Sequence, residues 1–180
     1  MNDADWRANV LRFWFGLTDD QWFKSDPALD HEIKQRFLKL WAEKRELPAD
    51  RFLIDPLAAL AGVLLFDQFP RNMFRGTAEQ FATDPLALAI AKGAIEKKLD
   101  NELASDERAF LYLPFEHSEK LEDQKRSILL FTELGEPHYL KFAKLHHDII
   151  ERFGRFPHRN AVLGRAPRAA ERSAGCVVPW

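Results

Sequence analysis

A chain of 180 residues is long enough for one domain with a sizeable core, and 46% of it is apolar, with 15 Phe and 5 Trp. Its 26 basic and 28 acidic residues leave a net charge of −2, which gives no general attraction to nucleic acid or to an anionic membrane. A single Cys176 excludes an internal disulfide and points to a reducing, cytoplasmic setting.

The opening MNDADWRANV is acidic and polar and does not read as a secretory signal. A first helix is expected over 4–15. Asp26-Pro27 announces the next: the carboxylate accepts free backbone N–H groups, and proline has none to waste at the first helical position. Over 27–46, Leu29, Ile33, Phe37, Leu40 and Trp41 fall on one face, opposite Lys34, Lys39, Glu43 and Lys44. Asp55-Pro56 opens a helix over 56–69 that is apolar all round and belongs in the centre. Its apolar run, 56–66, is well short of the ~18 residues of a membrane span.

That helix is expected to end at the corner FDQFPRNMFRG, 66–76. Asp84-Pro85 opens a helix over 84–100, and Ser105 one over 105–112, which the proline of LYLPF should close. Ser118 is expected to cap 118–134. The last helix, 136–154, sets Tyr139, Phe142, Ala143, His146, Ile150 and Phe153 on one face, with Lys141, Lys144, Asp148, Glu151 and Arg152 opposite. It leads into a second Phe-Pro corner, FGRFPHRNAVLGR, 153–165. No period-2 strand pattern occurs. The expectation is an all-α domain over 1–165, of seven to eight helices packed as antiparallel hairpins. Residues 166–180 are expected as a C-terminal tail, open to disorder.

The familiar catalytic strings are absent: no Gly-rich phosphate loop, no Gly-x-Gly-x-x-Gly, no Gly-x-Ser-x-Gly. HEIKQ, 31–35, lacks the second His of a zinc-protease helix. HSE, 117–119, lacks the cysteine pair of a zinc deaminase. Other polar groups beside apolar helices are the candidates. Asp67 ends an apolar run near a helix C-terminus, where the dipole disfavours it, so it needs a cation within chain reach: Arg71 or Arg75. Arg71, Asn72 and Arg75 load the first corner, and Arg155, His158, Arg159 and Asn160 the second. Guanidinium forks bind carboxylates and phosphates, so these groups either hold a ligand or tie helices through Asp67 and Glu116. His146 sits on an apolar face, as a core histidine or a pocket wall. Glu116, His117, Glu119, Asp123 and Gln124 form a carboxylate-rich turn. It is either an ordinary acidic first turn or half of an acid–base or metal site.

WFGLTDDQWF, LLFDQFPRNMFRGTAEQFATDPLAL, FLYLPFEHSEKLEDQ and HHDIIERFGRFPHRNAVLGR together resemble the bacterial domain-of-unknown-function family 924, over about residues 6–165. The resemblance implies an all-helical, tetratricopeptide-like fold and no established activity. Asp67, Gln68, Arg71, Asn72, Arg75, Glu116, His117, Asp123, Gln124, His146, Arg155, His158, Arg159 and Asn160 stand in its motif stretches. The chain departs at APRAAERSAGCVVPW, where the family continues into another helix start.

Two functions fit these residues. One is a binding module for an anionic small molecule or acidic peptide group, on Asp67, Arg71, Asn72, Arg75, Asp123, Gln124, Arg155, His158, Arg159 and Asn160. The other is a hydrolase or transferase for a phosphate- or carboxylate-bearing substrate, with Glu116, His117 or His146 as acid or base. A third, blander reading makes the corners structural. No cofactor, nucleic acid or membrane is implied.

Overall fold

A computed structural model of the chain describes residues 5–175. Cys176 lies outside them. The fold is all-α, and no strand occurs among the described residues. The helices are α1 Asp5–Trp14, α2 Asp19–Phe23, α3 Pro27–Lys44, α4 Pro56–Val63 and α5 Phe69–Met73. They continue with α6 Asp84–Glu96, α7 Ser105–His117, α8 Leu121–Leu134, α9 Pro137–Phe153 and α10 Ala169–Ala174. None is long and apolar enough to cross a membrane. The chain clusters into two compact units, Met1–Leu111 and Tyr112–Trp180, with the division inside α7.

In the first unit the expected aspartate caps form at two of three sites. Asp26 accepts from the backbone N–H groups of Ala28 and Leu29, and Asp55 from that of Ala58. At the third, Asp84 is the first residue of α6, Thr83 is the cap residue, and the Asp84 carboxylate is spent on Arg71. The short α2 was not expected. Its signal is Thr18-x-x-Gln21, in which the Gln21 side chain accepts the Thr18 N–H. Ala58 to Val63 of α4 are all buried, as an all-round apolar helix requires. α3 packs on α5, and α1 and α6 on α4. The rings of Trp14, Phe37, Phe69 and Phe110 join α1, α3, α5 and the first part of α7, with Phe37 and Phe69 4.6 Å apart at their centroids.

The helix expected to end at 69 does not. Leu64–Gln68 form a π turn, closed by the Phe69 N–H on the Leu64 carbonyl, and α5 carries on through Pro70 to Met73. Pro70 has no N–H for the carbonyl four residues back, that of Phe66. Thr83 replaces the missing donor: its hydroxyl donates to Phe66 O at 2.7 Å and accepts from Trp41 Nε1 at 3.2 Å. With that carbonyl satisfied, the proline costs the helix little and the chain has no reason to turn out.

α7 likewise passes Pro114 and ends at His117, five residues beyond the expected stop. A lost helical bond and ring clash cost ~3 kcal/mol. Burial of Leu111, Tyr112, Leu113 and Phe115 is worth ~1.5–3 kcal/mol each and outweighs it. In the second unit, α8 and α9 form an antiparallel hairpin across Gly135 and Glu136, with Phe131 stacked on Tyr139. α9 stops at Gly154, whose φ of 68° is the left-handed conformation that favours glycine. Ile149, Ile150, Phe153 and Phe156 then form an apolar cluster against Leu121 and Ala174. Residues 169–174 of the expected tail are helical.

Candidate functional site

The two Phe-Pro motifs are not the same corner. The first lies inside a helix, after the π turn, and the second in a 3-10 turn, Pro157–Arg159, after α9 has ended. They also have different partners.

In the first unit, Asp67 is fully buried and its carboxylate meets Arg71, 3.4 Å away. Arg71 also donates to the Asp67 carbonyl and, as a fork, to both oxygens of Asp84 at 3.0 and 3.2 Å. Asn72 donates to Asp30 Oδ1 at 2.8 Å, and Arg75 grips both oxygens of Asp30 at 2.6 and 2.9 Å. The predicted polar corner is therefore a clasp of α5 onto α3 and α6. Of the two cations expected for Asp67, Arg71 is the partner and Arg75 is not; Asp30 and Asp84 were not expected as partners, because both lie far along the chain and look like ordinary first-turn acids.

In the second unit, Arg155 donates to both oxygens of Glu171 in α10, at 2.6 and 2.9 Å, and Asn160 donates to Glu171 Oε2 at 2.9 Å. The expected partner for this corner was Glu116, not a residue of the tail. The Arg155 bond, with help from the Arg168 N–H and Asn160, holds the Glu171 carboxyl down at about 2. Arg165, also missed as a site residue, donates to both oxygens of Glu119 at 2.7 and 3.0 Å and to the Phe156 carbonyl. Glu119 in turn accepts the Phe156 N–H at 2.8 Å. Burial would raise the Glu119 carboxyl, but these donors hold it below the usual range.

The carboxylates of 116–123 do not converge on a metal. Among the described residues, the group with metal-ligand geometry is His147, Asp148 and Glu151 on α9, and Asp148 and Glu151 are exposed. Asp123 is buried and accepts the Ser118 hydroxyl at 2.7 Å. Ser118 thus serves Asp123 rather than capping α8, whose cap residue is Lys120. Gln124 is fully buried, and its amide donates to the carbonyls of Glu116 and Ser118 at 2.6 and 2.7 Å. It satisfies the C-terminal end of α7.

One cluster in this unit joins the acid–base candidates to the second corner. His146, Glu116 and Arg159 are buried, and His117 and His158 are half-buried. His146 Nδ1 lies 2.9 Å from the Phe142 carbonyl and 3.1 Å from Glu116 Oε1. Two acceptors on one nitrogen place the proton on Nδ1 and make Nε2 the acceptor nitrogen. The His146 ring is 6.3 Å from His117 and 5.5 Å from Phe156, and Phe156 is 5.6 Å from His158. The Arg159 guanidinium lies over the Phe156 ring, 4.4 Å from its centroid.

Burial pushes His146 down to about 3, with further push from His117, Arg159 and His158. Burial and then Arg159 push His158 down to about 4, against the pull of Glu119. Both rings are neutral at pH 7, so Glu116 meets a neutral imidazole. The cluster sets two neutral imidazoles beside the Arg159 guanidinium and the Glu116 carboxyl group.

The family model for bacterial proteins of unknown function, DUF924, matches residues 10–174. Among solved structures the chain is similar to a protein of unknown function from Agrobacterium tumefaciens, ATU0120. The two are 43% identical with a TM-score of 0.88, covering 96% of this chain and 98% of that one. No curated protein matches. A match across nearly the whole chain, together with the all-helical fold, places this protein in the DUF924 family of bacterial proteins of unknown function.

Proposed function

We propose that the second unit binds a small anionic molecule, through Arg159 and the imidazoles of His146 and His158. The observation that carries this reading is the cluster itself: a buried guanidinium on Phe156 beside imidazoles that burial, and after it neighbouring charge, keeps neutral. A group of negative charge is the natural complement of a guanidinium, and neutral imidazoles can donate to it or accept from it. Arg71, Asn72, Arg75, Arg155 and Asn160 are engaged with Asp84, Asp30 and Glu171 and support the scaffold. A cytoplasmic location belongs to the same reading and rests on the lone cysteine.

The enzyme reading draws on the Glu116–His146 contact, which orients the ring as a base is oriented. A base near 3 is a poor match to neutral pH, so binding is the better supported of the two. A thermal-shift screen with sulfate, phosphate, malonate and citrate tests it. An anion at about 100 times its Kd adds about 2.7 kcal/mol, a shift of a few degrees. The shift should appear in the wild type and in Arg75→Ala and vanish in Arg159→Met, which keeps an apolar stem over Phe156. An equal shift in Arg159→Met would sink the assignment.

A further inference from the structure

We propose that the histidine–arginine cluster of the second unit is a proton-linked oxyanion receptor, in which anion binding draws a proton onto the histidines beside Arg159. The inference rests on the binding site assigned above and adds its regulation and its ligand class. It stands first on geometry. His146, His158 and Arg159 are gathered around one ring, Phe156, and His117 of α7 lies against His146. An anion on Arg159 thus enters the neighbourhood of titratable imidazoles, and not only of fixed charge.

Charged and titratable groups face these rings from several elements. From α7 they are Glu116 and His117; from the α7–α8 connection, Glu119; from the turn after α9, Arg159 and Arg165. Glu119 is gripped by Arg165 and the Phe156 N–H. Asp123 of α8 accepts from the Ser118 hydroxyl.

The direction of the coupling follows. In the free protein, burial and positive neighbours hold His158 at about 4 and His146 at about 3. A unit negative charge about 4 Å away, at a protein-like dielectric, raises such a group by about three units. His158 would rise into the physiological range, so a proton enters as the anion binds. Linkage then makes the anion bind more tightly at lower pH, by up to about tenfold per pH unit for one proton taken up. A fully ionised oxyanion, a sulfate- or sulfonate-like group, suits such a site, because it brings no proton of its own.

Sulfate and benzenesulfonate are the probes, since neither titrates between about pH 5 and about pH 8. Isothermal titration near pH 6, in two buffers of different ionisation enthalpy, counts the protons taken up. The expectation is an uptake close to one proton per anion, and an affinity that rises several-fold between about pH 7.5 and about pH 5.5. His158→Gln cannot take up the proton, so whatever anion it still binds should bind with most of the uptake gone and with an affinity that no longer rises as pH falls. His146→Gln serves as the second variant should the first fail to fold. Binding with no proton uptake in the wild type would overturn the linkage and leave the anion site standing. Unchanged uptake in both variants would place the proton elsewhere and also overturn it. No binding of either probe overturns it too, and if the thermal-shift screen is equally silent, the anion site falls with it.

Discussion

The buried histidines dominate the residue scale, because their protonation couples stability to pH. His146 and His158 have folded pKa values of about 3 and about 4, below the unfolded value near 6.5. The unfolded chain therefore binds more protons in between. The stability they contribute is full above about pH 6.5 and is lost as pH falls towards 3. Urea unfolding at several pH values should show this decline, and His146→Gln should flatten it. An equally steep decline in that variant would place the titration in other groups. The arginines of the first corner give a second contrast. Arg71→Ala removes the cation beside the fully buried Asp67, a loss of about 3–5 kcal/mol and roughly ten degrees in Tm at this size. Arg75→Ala breaks a pair whose guanidinium side is 43% exposed, so it should cost at most about 1 kcal/mol. Similar losses in the two would contradict the burial argument. Asp67 was legible in the sequence as a carboxylate in need of a cation. Glu171 was not, because nothing local distinguishes a surface glutamate from one that folds back sixteen residues onto Arg155.

At the element scale, prolines decided where sequence and structure part. Asp26-Pro27 and Asp55-Pro56 open helices as their chemistry requires. Pro70 and Pro114 were expected to close helices, and both lie within them. Whether a mid-helix proline stops the chain depends on what becomes of the carbonyl four residues back. At Pro70 the answer is Thr83, thirteen residues further on. Thr83→Val should strand both the Phe66 carbonyl and the Trp41 indole N–H. At about 1–3 kcal/mol for each group, chemical denaturation should report the loss readily. Thr83→Ser, which keeps the hydroxyl, should stay near the wild type. A Thr83→Val variant as stable as Thr83→Ser would mean that the π turn does not depend on this bond.

For the whole molecule, charge sets the expectation. At −2, with guanidinium groups committed to Asp30, Asp84, Glu119 and Glu171, the protein should not shift duplex DNA in a gel at low salt. A shift that weakens steeply with added salt would reveal phosphate contacts and a basic face.

The sequence by itself determined the all-α class, the buried central helix, most helix starts, the family and the residues rich in chemistry. These follow from patterns that repeat within a few residues: periodicity, caps and long motifs. Only the tertiary structure decided that the two Phe-Pro corners differ. It also decided that Arg155 answers to Glu171 and that His146 lies against Glu116 as a neutral ring. The physical reason is that a charge's partner and a ring's burial are set by what the fold brings from far along the chain, and no local pattern records that.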